Sequence, residues 1–100
     1  MKKHSRMEAM KLIRQILKNG AVVPTSHLKE RMKERGFGMR DVIEAIDKGA
    51  IYDEPEIHPK TGRWNYKVRG KTIDDETLDL VIDIDVENER IIILTGMTRK

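Results

Sequence analysis

Three cationic or titratable side chains recur at one-turn spacing in the first half of the chain, His27, Arg31 and Arg35. Residues four apart share one face of a helix, so these side chains form a stripe beside the apolar residues Leu28 and Met32. Histidine titrates near neutrality, and guanidinium groups match phosphate oxygens, which suits acid–base chemistry and phosphate binding. Spacing alone favours the alternative, a solvated helix face whose arginines pair with nearby acids.

A second candidate surface is the alternating segment 63–69. One of its faces is apolar, carrying Trp64, Tyr66 and Val68. The other is cationic, carrying Arg63, Lys67 and Arg69. A basic sheet face suits RNA binding, and Tyr66 is expected near its rim. The competing interpretation is cross-strand ion pairing, because the next strand presents acids on the corresponding face, Asp79, Asp83 and Asp85.

The residue inventory limits the chemistry. The chain has no cysteine, which excludes disulfides, thiolate zinc sites and cysteine nucleophiles. Its three histidines are widely separated in sequence, and the acids of 74–76 lack the spacing of a calcium loop, so we predict no metal site. No glycine-rich phosphate loop or serine-hydrolase motif is present, and no small-molecule cofactor is expected.

Charge is unevenly distributed along the chain. Residues 1–71 contain 17 lysines and arginines against 9 acids, whereas residues 72–89 contain 8 acids and no base. The basic part could attract nucleic acid or an acidic protein. The alternative is that the acidic segment pairs with the basic one within the fold. No apolar run approaches the length of a membrane span, and a cytoplasmic location is expected.

The first half of the chain has helical periodicity. Ser5 and Glu8 form a capping-box pattern, and the following apolar residues predict a helix over 6–18. Capping residues, periodicity and glycine terminators predict further helices over 26–35 and 39–48. These last two, with the turn between them, also resemble a DNA-binding helix-turn-helix, although the second of them carries mainly acids.

Alternating periodicity takes over in the second half. It predicts strands near 63–70, 78–87 and 90–97. The last of these is expected to be central because both its faces are apolar. A short edge strand is expected within 50–57. The expected fold is therefore α+β, with three N-terminal helices packed on a C-terminal antiparallel sheet of three to four strands. A chain of this length fits a single domain, 1–100, in which 1–24 forms the first helix and its connection.

A family resemblance covers about residues 25–98. His27-x-x-x-Arg31-Met32-x-x-Arg35-Gly36, the amphipathic segment that follows and Tyr66-x-Val68-x-Gly70 resemble the domain-of-unknown-function family 4258. That family is similar to bacterial toxins of the BrnT and RelE/ParE kind, and its members are often encoded beside a zinc-finger antitoxin resembling the MqsA type. The helix at 6–18 and the acidic segment at 72–89 depart from the family pattern.

The resemblance implies a toxin component of a toxin–antitoxin pair, acting as a metal-independent RNA endonuclease or an inactive relative of one. Such cleavage needs a base, an acid and cations. Within this implied reaction the catalytic candidates are His27, Tyr66 and Lys67, and the candidates for binding RNA or a partner are Arg31, Arg35, Arg63 and Arg69. The remaining alternatives are a non-catalytic protein-binding module and the DNA-binding helix pair.

Overall fold

The computed structural model describes residues 3–99. Within them the first half contains helix α1 (Arg6–Asn19), strand β1 (Ala21–Pro24), helix α2 (Ser26–Arg35) and helix α3 (Met39–Lys48). The second half contains strands β2 (Ala50–Ile51), β3 (Glu56–Ile57), β4 (Trp64–Lys71), β5 (Thr77–Asp85) and β6 (Arg90–Arg99). The three predicted helices are confirmed to within one residue at each end.

Side-chain caps explain where the helices begin. The Ser5 hydroxyl accepts a hydrogen bond from the Glu8 amide at 3.1 Å, which satisfies an amide left without a partner at the start of α1. Thr25 does the same for the Leu28 amide in α2, and its hydroxyl also donates to the Leu94 carbonyl at 2.9 Å. The cap of α2 therefore also anchors this helix to β6. Gly36, with φ of +71°, ends α2 in the left-handed conformation that glycine adopts without strain.

The sheet differs from the prediction of three to four antiparallel strands. It has six strands in the order β1-β6-β5-β4-β2, with β3 also paired to β4. Strand β1 runs parallel to β6, with Val22 opposite Ile91, whereas the other strand pairs are antiparallel. The predicted sheet was wrong in strand number and in direction. The central position of β6 is confirmed.

The strands that the prediction lacked or merged are too short for periodicity to resolve them: β1 was not predicted, and β2 and β3 lie within the single edge strand expected at 50–57. Strand β1 has four residues and ends at Pro24, and β2 and β3 have two residues each. A parallel pairing depends on contacts between distant segments, here residues 21–24 and 90–93. Gly20 permits this pairing because a Cβ atom there would lie 2.1 Å from the Glu89 carbonyl oxygen. Only glycine lets the chain after α1 pass so close to the β5–β6 turn.

The helices cover one face of the sheet, where the core lies. This face carries the buried residues of the three long strands, among them Val68, Leu80, Ile82 and Ile93, all fully buried. Helix α3 approaches β4 so closely that a Cβ on Gly70 would meet the Ala45 backbone, and α2 places Leu28 against Gly96 of β6. The opposite face has no helix in the described part of the chain. In residues 3–99 no helix is both long and apolar enough to cross a membrane.

Candidate functional site

The structure does not bring the three predicted catalytic residues together. Tyr66 and Lys67 are consecutive in β4, so their side chains leave opposite faces of the sheet. Tyr66 is 2% exposed on the helix-covered face, and Lys67 lies on the open face. His27 is exposed at the start of α2, which packs on β6, two strands away from β4.

On the open face, the predicted RNA-binding cations are paired with acids. Arg69 donates to both carboxylate oxygens of Asp79, at 2.7 and 3.1 Å, and Arg99 donates to the same carboxylate at 2.6 Å. Burial opposes ionisation of Asp79, but these hydrogen bonds outweigh it and lower its pKa. The Arg69 guanidinium also lies 4.0 Å from the ring centroid of Tyr52. Arg69 is thus held in place by contacts within the protein.

The other two cations of this face are paired as well. Arg63 donates through Nε to Asp83 and through a terminal nitrogen to the Ile84 carbonyl at 3.2 Å. Lys67 donates to Glu56, and Asp53 lies 3.7 Å away. The cross-strand ion pairing with the acids of β5, which competed with the RNA-platform interpretation, is therefore what the structure contains at Arg63 and Arg69, whereas Lys67 pairs with Glu56 of β3 and Asp53.

The cations of α2 are less constrained. Arg31 pairs with Glu34 at 3.3 Å in a local, largely exposed ion pair. Among residues 3–99, no carboxylate lies within 4.0 Å of a side-chain nitrogen of Arg35. The predicted stripe of His27, Arg31 and Arg35 is therefore a solvated face with one internal pair.

A cleft of about 320 Å³ contains two of the predicted residues, Arg63 and Tyr66, together with the aromatic side chains of His4 and Trp64. We call it the N-terminal cleft, lined by His4, Arg63, Trp64, Tyr66, Asp85 and Glu87, with Ile84 and Val86. The His4 backbone N–H donates to the Tyr66 hydroxyl oxygen at 2.9 Å, and the two rings are 6.3 Å apart. The Lys3 ammonium lies 5.3 Å from the Trp64 ring centroid, within range of a cation–π interaction.

The protonation states in the cleft follow from its contacts. Burial raises the pKa of Tyr66, partly offset by the hydrogen bond from His4, so the phenol is protonated at neutral pH. Hydrogen bonds from Asn88 and Arg90 lower the pKa of Asp85 to about 2, so this carboxylate is ionised. At neutral pH the cleft thus offers a proton donor, an imidazole and a guanidinium, with an anionic wall on one side.

His4 is the residue that sequence reasoning missed. It lies 62 positions from Tyr66 and directly precedes the cap of α1. No spacing rule links such distant positions, and the contact exists because α1 crosses the sheet with its N-terminus over β4. The only sequence feature that could have indicated His4 is its position next to a capping box, because the box fixes the geometry of the chain just before the helix. Residues 3–99 contain no group of three or more His, Asp or Glu side chains positioned to hold a metal ion.

Comparison with known proteins identifies one family. The model described as domain of unknown function (DUF4258) matches residues 25–95, from the cap of α2 to the middle of β6. The match covers more than half of the chain, so the chain belongs to this family. Helix α1 and His4 lie outside the matched region. No curated protein and no solved structure matches the chain.

Proposed function

We propose that this member of the DUF4258 family is a toxin-like, metal-independent ribonuclease related to BrnT and RelE/ParE toxins, with its reaction centre in the N-terminal cleft. The observation that carries the proposal is the meeting of an imidazole, a protonated phenol, a guanidinium and an indole in one concave site. The first three can supply the base, the acid and the cation that cleavage of RNA by its own 2′-hydroxyl needs, and the indole adds a surface for a base.

Each group has a role in that reaction. His4 accepts the proton of the ribose 2′-hydroxyl as its oxygen attacks phosphorus. Tyr66 donates its proton to the 5′ oxygen as the phosphorus–oxygen bond breaks, leaving a 2′,3′-cyclic phosphate and a 5′-hydroxyl. A phenol is protonated at neutral pH, and burial raises the pKa of Tyr66 further. Trp64 offers an aromatic surface for a base beside Lys3.

Arg63 retains donors for the phosphate despite its internal contacts. A guanidinium carries five N–H groups, and the bonds to Asp83 and Ile84 occupy two of them. Its remaining N–H groups are available to stabilise the charge that develops on the phosphorane. Asp85 and Glu87 repel phosphate, so the RNA backbone is expected to enter along the side of Lys3 and Arg63.

The test is cleavage of structured and unstructured RNA in the presence of EDTA. His4→Ala and Tyr66→Phe should each lower the cleavage rate by roughly 100-fold, a typical contribution of a general acid or base. His4→Ala retains the backbone N–H that holds the Tyr66 hydroxyl, so this variant removes the imidazole alone. The matched controls are His27→Ala and Lys67→Ala, which lie outside the cleft and should cleave at the wild-type rate.

Two outcomes would reject this assignment. If the wild-type chain leaves both RNA types intact, the proposed activity is absent. If His27→Ala or Lys67→Ala abolishes cleavage while His4→Ala does not, the activity exists and the cleft is the wrong centre. Melting temperatures of all four variants show whether a loss of rate reflects a loss of fold. Detection of a 2′,3′-cyclic phosphate end identifies the reaction.

A second candidate function is a non-catalytic protein-binding module. It is supported by unpaired cations on the helices, since no carboxylate in residues 3–99 lies within 4.0 Å of the ammonium of Lys29 or Lys33 or the guanidinium of Arg35. An acidic surface, such as one on a zinc-finger antitoxin, would complement this helix. The DNA-reading alternative has weaker support, because α3 carries Glu44 and Asp47 against the phosphate charge.

A further inference from the structure

Glu87 brings an unpaired carboxylate to the N-terminal cleft. It lies in the turn between β5 and β6, is exposed, and lines the cleft together with Arg63 and Trp64. In residues 3–99 no lysine, arginine or histidine nitrogen lies within 4.0 Å of its oxygens. The hydrogen bond with Asp83 is the main cause that raises the pKa of Arg63, and the negative charge of Glu87 adds to it. The free carboxylate therefore lies within electrostatic range of the guanidinium.

Asp85, the other carboxylate of the cleft, is already occupied. Its Oδ1 accepts from the Asn88 backbone N–H at 3.4 Å, and its Oδ2 accepts from the Asn88 side chain at 2.9 Å and from Arg90 at 2.8 Å. The Asp85 side chain is only 12% exposed. Asp85 is thus fixed within the turn, whereas Glu87 can direct both of its oxygens toward an occupant of the cleft.

The charges of the cleft orient a nucleotide bound in it. Lys3 and the remaining N–H groups of Arg63 attract phosphate, and Glu87 repels it. The edge of a base stacked on Trp64, rather than the backbone, is then what faces Glu87. A volume of about 320 Å³ is at the small end of ligand sites, which suits one unstacked nucleotide and excludes a duplex.

A carboxylate distinguishes the bases by their hydrogen-bond donors. An ionised carboxylate only accepts hydrogen bonds, and its two oxygens can accept two parallel ones. The Watson–Crick edge of guanine presents two adjacent donors, N1–H and the 2-amino group. Adenine and cytosine place an acceptor nitrogen beside their amino group, and uracil flanks its N–H with carbonyl oxygens. With these three bases the second carboxylate oxygen therefore meets an acceptor, which repels it.

We infer that the N-terminal cleft selects guanine, with the base stacked on Trp64 and its N1–H and 2-amino groups donating to Glu87. This selection rests on the proposed function, because it names the base beside the phosphate on which His4 and Tyr66 act. The substrate is then single-stranded RNA, since in a duplex the Watson–Crick edge of guanine is already paired with cytosine.

Calorimetric binding of the four ribonucleoside 3′-monophosphates to the full chain tests the selection without cleavage. Guanosine 3′-monophosphate should bind roughly tenfold or more tightly than the other three, the discrimination given by one bidentate contact to a base. Inosine 3′-monophosphate lacks the 2-amino group and should bind roughly tenfold more weakly than the guanosine compound, because one hydrogen bond to a charged acceptor is lost. Glu87→Gln should remove the preference, since an amide offers one acceptor and one donor to two donors.

Glu89→Gln is the matched control. Glu89 belongs to the same turn and loses the same charge, but it lines a separate depression of about 230 Å³ against α1. This variant should keep the preference for guanine, and melting temperatures show that both variants fold. The selection is overturned by equal affinity for the four nucleotides, by absence of binding at about 1 mM, or by an equal loss of preference in the two variants.

These results are distinguishable from those of the ribonuclease test. A preference for guanine in a chain that leaves RNA intact would reject the cleavage reaction and support the guanine site. Cleavage at all four nucleotides with equal frequency would reject the guanine site and leave the ribonuclease in place. Where both hold, mapped cleavage ends should fall at guanosines, and Glu87→Gln should spread them over the other nucleotides.

Discussion

Cations on the two sides of the sheet differ in how they are paired. On the open face, Arg69 lies directly opposite Asp79 in the strand register and forms two hydrogen bonds with it. On the other side, no carboxylate in residues 3–99 lies within 4.0 Å of the ammonium of Lys11 or Lys18 of α1, and Arg14 donates to the carbonyl oxygens of Asp47 and Gly49. The difference teaches that strand register, more than the number of basic residues, decides which cations remain available to a partner.

Partial burial strengthens this contrast. The side chains of Asp83, Asp79 and Asp85 are 8–13% exposed, so their arginine partners compensate carboxylates that are largely withdrawn from water. The pair of Arg31 and Glu34 on α2 is exposed to water, so neither charge depends on its partner for compensation. Removing cations from the two regions should therefore have different consequences for stability.

The largest effect is expected where the helix layer meets the sheet. Gly70→Ala places a Cβ atom about 2.0 Å from the Ala45 carbonyl oxygen, a backbone clash that requires α3 and β4 to separate. We expect a loss of about 3 kcal/mol in the free energy of unfolding, measured by urea denaturation. Gly38→Ala is the control, because nothing lies within 4 Å of its added Cβ, and should cost about 1 kcal/mol or less. Equal losses would contradict the close approach.

The next effect concerns the ion pairs of the open face. Arg63→Met leaves Asp83 buried without its partner, and the Oδ1 atom of this carboxylate already has no hydrogen bond. We expect a loss of about 2 kcal/mol in the free energy of unfolding, since breaking such a pair leaves an uncompensated charge. The double variant Arg63→Met with Asp83→Leu should recover part of that loss. Additive losses in this double-mutant cycle would show that the two side chains are not coupled.

Acid should weaken the same face without any substitution. Asp85 has a folded-state pKa of about 2, and the pKa of Asp79 is also lowered. Unfolded aspartates titrate near pH 4, so the folded state binds fewer protons and its stabilisation is complete above about pH 4. It should be lost as the pH falls toward 2, and Asp85→Asn should make this decline shallower. Urea midpoints at several pH values measure it, and an unchanged decline in the variant would exclude this role for Asp85.

The smallest effect is expected on α2. Arg31→Ala with Arg35→Ala removes one exposed ion pair and one unpaired cation, so the free energy of unfolding should change by about 0.5 kcal/mol or less. Thermal melting in parallel with Arg63→Met gives the comparison directly. A loss of more than about 1 kcal/mol would mean that these arginines hold the fold together, as their counterparts on the sheet do.

Much of the fold was predictable because its signals are local. The capping box at Ser5 and the apolar repeat located α1, and Thr25 and Gly36 bounded α2. Alternation in β4 correctly placed Tyr66 and Lys67 on opposite faces, since successive side chains point to opposite faces, but Tyr66 is buried and not near the rim of the basic face as expected. Each of these features depends on residues a few positions apart, and such patterns survive in any tertiary context that buries the apolar face.

The candidate site, by contrast, was decided by tertiary structure. The sequence by itself determined which side chains were available, the helices and the two faces of each long strand. Only the folded chain placed β1 parallel to β6, matched Arg69 with Asp79 and carried His4 to Tyr66. These contacts join residues 10 to 69 positions apart, and their register follows from how the helices and strands pack together. Periodicity contains no information on that packing, because it describes each element separately.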